Sequence, residues 1–279
     1  MKKRQLFRSI IATACVAFGL AGAIHAQASV VIAGTRVVYN AKDSEETIKL
    51  SNEGKSPALV QAWIDAGDSK IAPSAAEVPF VVTPPISRID PAKGQTLRVV
   101  YTGEPLPQDK ESVFWLNVLE VPPKPGPDEA DANKLQLAFR SRIKLFFRPT
   151  GLKGLAEEAP AQIGWRLTQA GNQLAIEANN PTPFHVSFTA IEVSAAGKTA
   201  GFDDGGMVGP GETKAFPLKG EVAGAVDAKV HYHALNDFGG PIDGDAALTQ
   251  GSAQLAKTQS ATESTTEVLP AQGAGESVK

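Results

Sequence analysis

Leu135-Gln136-Leu137-Ala138-Phe139-Arg140-Ser141-Arg142-Ile143-Lys144-Leu145-Phe146-Phe147-Arg148-Pro149 is the stretch on which the fold turns. Leu135, Leu137, Phe139, Ile143, Leu145 and Phe147 take the odd positions, with Ser141 the one polar break. Gln136, Arg140, Arg142, Lys144 and Arg148 take the even positions, where Ala138 and Phe146 are the exceptions. A period of two with apolar residues on one side is a β-strand with one apolar face. The stretch is more than twice the usual strand length of about 5–6 residues. At about 3.3 Å per residue it spans roughly 45 Å, more than a small domain needs to close its own core. Part of its apolar face is therefore expected to serve another chain.

Just upstream, Pro122-Pro123-Lys124-Pro125-Gly126-Pro127-Asp128-Glu129-Ala130-Asp131 reads as an exposed, mobile loop between two long strands. Further back, short apolar runs alternate with turn residues: Val30 to Tyr39, Thr47 to Leu50, Leu59 to Ile64, Phe80 to Thr83, Thr96 to Tyr101 and Val113 to Val121. Seven or so strands at this spacing, without helical periodicity, predict an immunoglobulin-like sandwich. Downstream, Pro149 to Pro160 reads as a connection. Leu174 to Glu177, Val186 to Val193, Thr213 to Leu218 and Lys229 to Leu235 then predict a second all-β domain. The expected organisation is a leader at 1–28, domains at 29–150 and 151–250, and a disordered Ser/Thr/Glu-rich tail at 251–279.

Lys2, Lys3, Arg4 and Arg8 precede an uncharged apolar run from Ile10 to Ile24, the pattern of an export leader. Ala26-Gln27-Ala28 offers a cleavage site before Ser29, and Ile24-His25-Ala26 offers a second. The run is shorter than the ~20 residues of a spanning helix. The expectation is an exported protein with no membrane span in its mature form. The single cysteine, Cys15, lies in the leader, so a mature disulfide is not expected. Loss of the leader leaves 23 basic residues against 30 acidic, a net of −7, the wrong sign for a general nucleic-acid binder.

The sequence contains no Gly-rich phosphate loop, no G-x-S-x-G and no Cys-x-x-Cys. His231 and His233 share a strand face, but no third ligand is spaced near them for the usual metal site. Neither an enzyme, a metal nor a cofactor is expected.

The segment Leu106 to Pro123, with Val113-Phe114-Trp115-Leu116-Asn117-Val118 at its centre, resembles the signature of the periplasmic pilus-assembly chaperones. So do Gly34 to Tyr39, Gln61-Ala62-Trp63, Leu137 to Pro149, Asn180 to Phe184 and Asn236 to Gly240. The resemblance runs from about Ser29 to Gln250. The absence of mature cysteines and a connecting loop of modest length are similar to the short-loop subclass. The family implies two immunoglobulin-like domains in an L or boomerang arrangement. It implies a periplasmic protein that lends a β-strand to the incomplete fold of a pilin subunit and passes it to an outer-membrane usher. Self-association of the free chain, covering the same strand, is a further candidate interaction.

By position, the resemblance makes Leu135, Leu137 and Phe139 the donor side chains. Burying each in a guest is worth about 1.5–3 kcal/mol of gross transfer energy. Strict alternation does not say where packing in the chain's own core gives way to packing with a guest. Arg36 and Lys144 match the basic pair that grips a subunit's C-terminal carboxylate, as a planar fork and a compact charge. Glu111, Arg148 and Asp237 match a charged trio between the domains. The rival readings are a secreted carbohydrate-binding or adhesive module and a hydrolase on a β-scaffold.

Overall fold

The computed structural model describes residues 29–121, 137–222 and 227–248. The leader, the whole proline-rich loop, Leu135 and the C-terminal tail lie outside these residues.

Val30 to Tyr39 is not one strand. Gly34 takes φ +117°, a left-handed backbone that favours glycine, and divides the run into β1 (Val30–Ile32) and β2 (Arg36–Asn40). The two halves then join different sheets. The remaining strands of the first domain are β3 (Glu46–Asn52), β4 (Ala58–Asp65), β5 (Phe80–Thr83), β6 (Ile86–Ile89), β7 (Gly94–Tyr101), β8 (Ser112–Val121) and β9 (Phe139–Arg148). One sheet has the order β1-β3-β7-β5, the other β2-β9-β8-β4-β6. Their inner faces enclose Leu50, Leu97, Leu116, Leu145 and an aromatic group of Tyr39, Phe80, Tyr101, Phe114 and Phe147. β6 escaped the sequence reading because it is four residues held between Pro85 and Pro91.

β9 is shorter than the alternation suggested. It begins at Phe139, and Leu137 and Ala138 precede it outside the ladder. Its register with β8 is unbroken from Ser112↔Phe147 to Glu120↔Phe139. On its other side it pairs in parallel with β2, but only from Arg36↔Lys144 to Asn40↔Arg148. The Phe139–Ile143 edge therefore has no strand beside it among the described residues.

The second domain adds β10 (Gly164–Ala170), β11 (Gln173–Asn179), β12 (Val186–Ala195), β13 (Lys198–Phe202), β14 (Gly206–Val208), β15 (Thr213–Pro217), β16 (Lys219–Gly220), β17 (Lys229–Leu235) and β18 (Pro241–Ala247). A three-stranded sheet, β10-β11-β15, faces a larger one built on β13-β12-β17-β18. Trp165, Phe188, Phe216 and Tyr232 fill the space between them. The turn at Asn180-Pro181-Thr182 is organised by the fully buried Asn180 amide, which donates to the carbonyls of Phe184 (2.7 Å) and Gly209 (3.0 Å) and accepts from Thr182. The chain is thus all-β, two immunoglobulin-like sandwiches in series.

Candidate functional site

Along β9 the inward-pointing parity carries Phe147, Leu145, Ile143, Ser141 and Phe139 in turn. Phe147 and Leu145 are buried in the first core, and Ile143 packs against it partly exposed. Beyond Ile143 the same side leaves the sandwich: Phe139 is 40 % exposed and Leu137 is 56 % exposed. The handover that alternation left open falls between Ile143 and Phe139, with no bulge to mark it. Two apolar side chains thus stand in water beside an open stretch of backbone donors and acceptors, the condition that invites another strand.

That open edge runs into a pair of cations. The parallel register sets Arg36 opposite Lys144, on neighbouring strands about 4.8 Å apart. They share a cleft of about 500 Å³ with Trp115, Arg142 and Leu235. Lys144 Nζ donates to Ser187 Oγ of the second domain at 3.0 Å, and Arg36 Nη1 donates to the Leu235 carbonyl at 3.4 Å. Arg36 Nε is buried without a hydrogen-bond partner. Burial pushes the Lys144 pKa down to about 8, helped by the charges of Arg36 and Lys214. Burial also lowers Arg36, partly opposed by Asp237. Two crowded, poorly solvated cations and an idle N–H suit an anion, and a carboxylate accepts from both at once.

Phe146, the exception to alternation, is buried on the opposite parity because it meets the second domain. Its ring lies 5.4 Å from His185 and beneath the Arg36 guanidinium at 6.0 Å.

Glu111, Arg148 and Asp237 come together at the domain junction. Arg148 Nε donates to Glu111 Oε1 at 2.7 Å, while Nη1 and Nη2 donate to the two Asp237 oxygens at 2.6 and 2.8 Å. The second Glu111 oxygen accepts from the His185 backbone N–H at 2.8 Å. Burial alone would lower the Arg148 pKa; the bonds and charges of Asp237 and Glu111 outweigh it, and the guanidinium is held above its ordinary value. Asp237 sits in a tight loop whose Gly239 takes φ +82° and presses against Thr35 of the first domain. A side chain there would strike the Thr35 hydroxyl.

Sequence reasoning missed Ser187, His185 and a cluster on the outer face of the first domain. Arg142 forks onto Asp65 at 2.6 and 3.1 Å and lies 4.6 Å over Trp115, and Asn117 donates to Asp65 at 2.7 Å. Burial would raise the Asp65 carboxyl, but Arg142, Asn117 and the Gly67 N–H bring it below its usual value. Even-position spacing on β9 places Arg142 on the Lys144 side, which was the available signal. Ser187 and His185 touch the site only across the domain junction, which no local pattern reports. His231 and His233 bond through Nδ1 to Asp245 and Asp243 at 2.9 and 2.7 Å. Among the described residues no group of three or more potential metal ligands forms, and no helix is long and apolar enough to cross a membrane.

Two family models match the chain. Residues 29–153 match "Pili and flagellar-assembly chaperone, PapD N-terminal domain", and residues 158–246 match "Pili assembly chaperone PapD, C-terminal domain". The chain is 46 % identical over 223 residues to the probable fimbrial chaperone YadV of Escherichia coli K12, covering 79 % of this chain and 90 % of that protein. It is 47 % identical over 227 residues to the chaperone protein FimB/FhaD of Bordetella pertussis, covering 80 % and 89 %. The crystal structure of the YadV chaperone superposes with a TM-score of 0.66 at 44 % identity, covering 79 % of this chain and all of that one. The Salmonella enterica SafA pilin in complex with the SafB chaperone matches with a TM-score of 0.65 at 29 % identity, covering 80 % and 98 %.

Proposed function

The chain belongs to the pili-assembly chaperone family, and on that footing we propose that β9 is the strand it lends to a pilin subunit, with Arg36 and Lys144 holding the subunit's C-terminal carboxylate. It is a chaperone of pilus assembly, and a carbohydrate-binding module is not the reading its relatives favour. A relative of the same fold is seen with a pilin. The observation that carries the proposal is the meeting of the exposed Leu137 and Phe139, the unpaired Phe139–Ile143 edge and the Arg36–Lys144 pair in one line.

The geometry also implies a direction. A guest strand lying on that edge, with its terminal carboxylate at Lys144, runs from Phe139 toward Lys144. It is therefore parallel to β9 and continues the row that β2 begins. Backbone bonds give affinity, Leu137 and Phe139 fill guest pockets, and the clamp sets the register that pairing alone leaves free to slip. Leu135 belongs to the same proposal by its place in the sequence. The role given to Glu111, Arg148 and Asp237 is to fix the angle at which the second domain presents Ser187 and Leu235 to the cleft. Such capture makes and breaks no covalent bond, so we read the chain as a binding protein and not an enzyme. Export to the periplasm, supported by the leader-like residues 1–28 and by the family, and delivery to an outer-membrane usher complete the reading.

Coexpression with a pilin subunit tests it. The wild-type chain is expected to copurify with the subunit in equal amounts. Replacing both Leu137 and Phe139 by asparagine should remove the subunit while leaving thermal unfolding unchanged, because both side chains lie outside the core. Retention of the subunit by this variant would contradict the assignment.

The acidity of Lys144 adds a pH dependence. A carboxylate binds the protonated amine, so affinity is level below pH 8 and falls as pH rises through it. The decline approaches tenfold per pH unit, and titration of a peptide matching the subunit's C-terminal strand between pH 6.5 and 9.5 measures it.

A further inference from the structure

We infer that the leader is removed at the Ala28–Ser29 bond and that Glu120 is the built receptor for the α-ammonium this creates. Glu120 lies at the end of β8, opposite Phe139, and its carboxylate collects three donors from the first described residues. The Ser29 backbone N donates to Oε2 at 3.1 Å, the Val30 N–H donates to Oε2 at 3.2 Å, and the Ser29 hydroxyl donates to Oε1. No Lys, Arg or His among the described residues pairs with this half-buried carboxylate. Neutral donors leave its charge without a counterion among the described residues, and charge-assisted bonds are about twice as strong as neutral ones.

Hydrolysis supplies that counterion in place. Water adds across the Ala28–Ser29 amide, its oxygen forming the new Ala28 carboxylate and its two protons, with the amide proton, completing –NH₃⁺ on Ser29. The nitrogen already 3.1 Å from Glu120 becomes a cation without moving. Cutting after Ala26, the other small-residue site, would leave a neutral amide facing Glu120 and put the charge two residues away. The contact thus favours the leader end expected at residue 28 over the second candidate after Ala26. It also ties β1, in one sheet, to β8, in the other, at the root of the segment leading into β9. This inference rests on export and not on subunit capture.

Intact-mass and N-terminal sequencing of the full-length chain after export is the first test, with Ser29 as the expected first residue. A start at Gln27, or any other cut, overturns the assignment; a chain still beginning at Met1 overturns the export reading as well, while subunit capture by that chain would be measured separately. Acetylating the Ser29 α-amine of the exported protein is the second test. It is expected to lower the thermal midpoint by about 1–4 °C, and Glu120→Gln should abolish the difference between acetylated and free chains. An equal effect in both backgrounds, or none in either, would overturn the role of Glu120.

Discussion

Replacing Lys144 by alanine is expected to cost a hundredfold or more in subunit affinity while leaving the fold intact. Removing one partner of a desolvated charge pair costs about 2–5 kcal/mol, and about 1.4 kcal/mol is tenfold. The fold loses one hydrogen bond, to Ser187, and is relieved of a crowded cation. The charged amine is crowded by Arg36 and Lys214 and kept from water, which is why its pKa falls from 10.5 to about 8. A group whose folded pKa lies below its unfolded value destabilises the fold while protonated in both states. That burden lifts as pH rises from 8 to 10.5, where the unfolded chain holds the extra proton. Stability and capture should therefore move in opposite directions across this window in the wild type, and the alanine variant should lose the Lys144 contribution to both. Equilibrium unfolding and peptide titration on the same samples check this. Unaltered affinity in the variant would remove Lys144 from the site.

Arg148→Ala should have the largest effect on stability. It removes the guanidinium that bonds both carboxylates, and Glu111 is buried. Breaking one side of a buried pair costs about 3–5 kcal/mol, equivalent to a midpoint lowered by about 6–20 °C for a chain of this size. Arg148→Lys should recover only part of the loss, because one ammonium cannot reach Glu111 and both Asp237 oxygens as the guanidinium does. The two domains need not melt together once the bridge is gone, so the scan should show two steps where the wild type shows one. A variant within 2 °C of the wild type would show the network to be ornamental.

Much of the first domain was legible because its strands obey simple alternation. Thr47 to Leu50, Phe80 to Thr83 and Val113 to Val121 all fall within observed strands. The reading failed where local pattern and long-range pairing diverge. Val30 to Tyr39 is one apolar run, yet a glycine and two different sheets divide it. Leu137 continues the parity of β9 but lies outside its ladder, since alternation records side-chain chemistry and not the backbone partner. The residues that line the cleft were legible only in part. Arg36 and Lys144 stand out as charges within apolar strands. Ser187 and Leu235 are ordinary strand residues whose importance comes from how the second domain lies against the first.

The parallel pairing of β2 with β9 joins residues 36–40 to residues 144–148. Strands so far apart in the chain meet late, because closing so large a loop must precede any gain from their pairing. During synthesis the first of them emerges more than a hundred residues before its mate. The proposed Arg36–Lys144 clamp is thus among the last parts of the domain to exist, and on that proposal a half-made chaperone has no means of seizing its client.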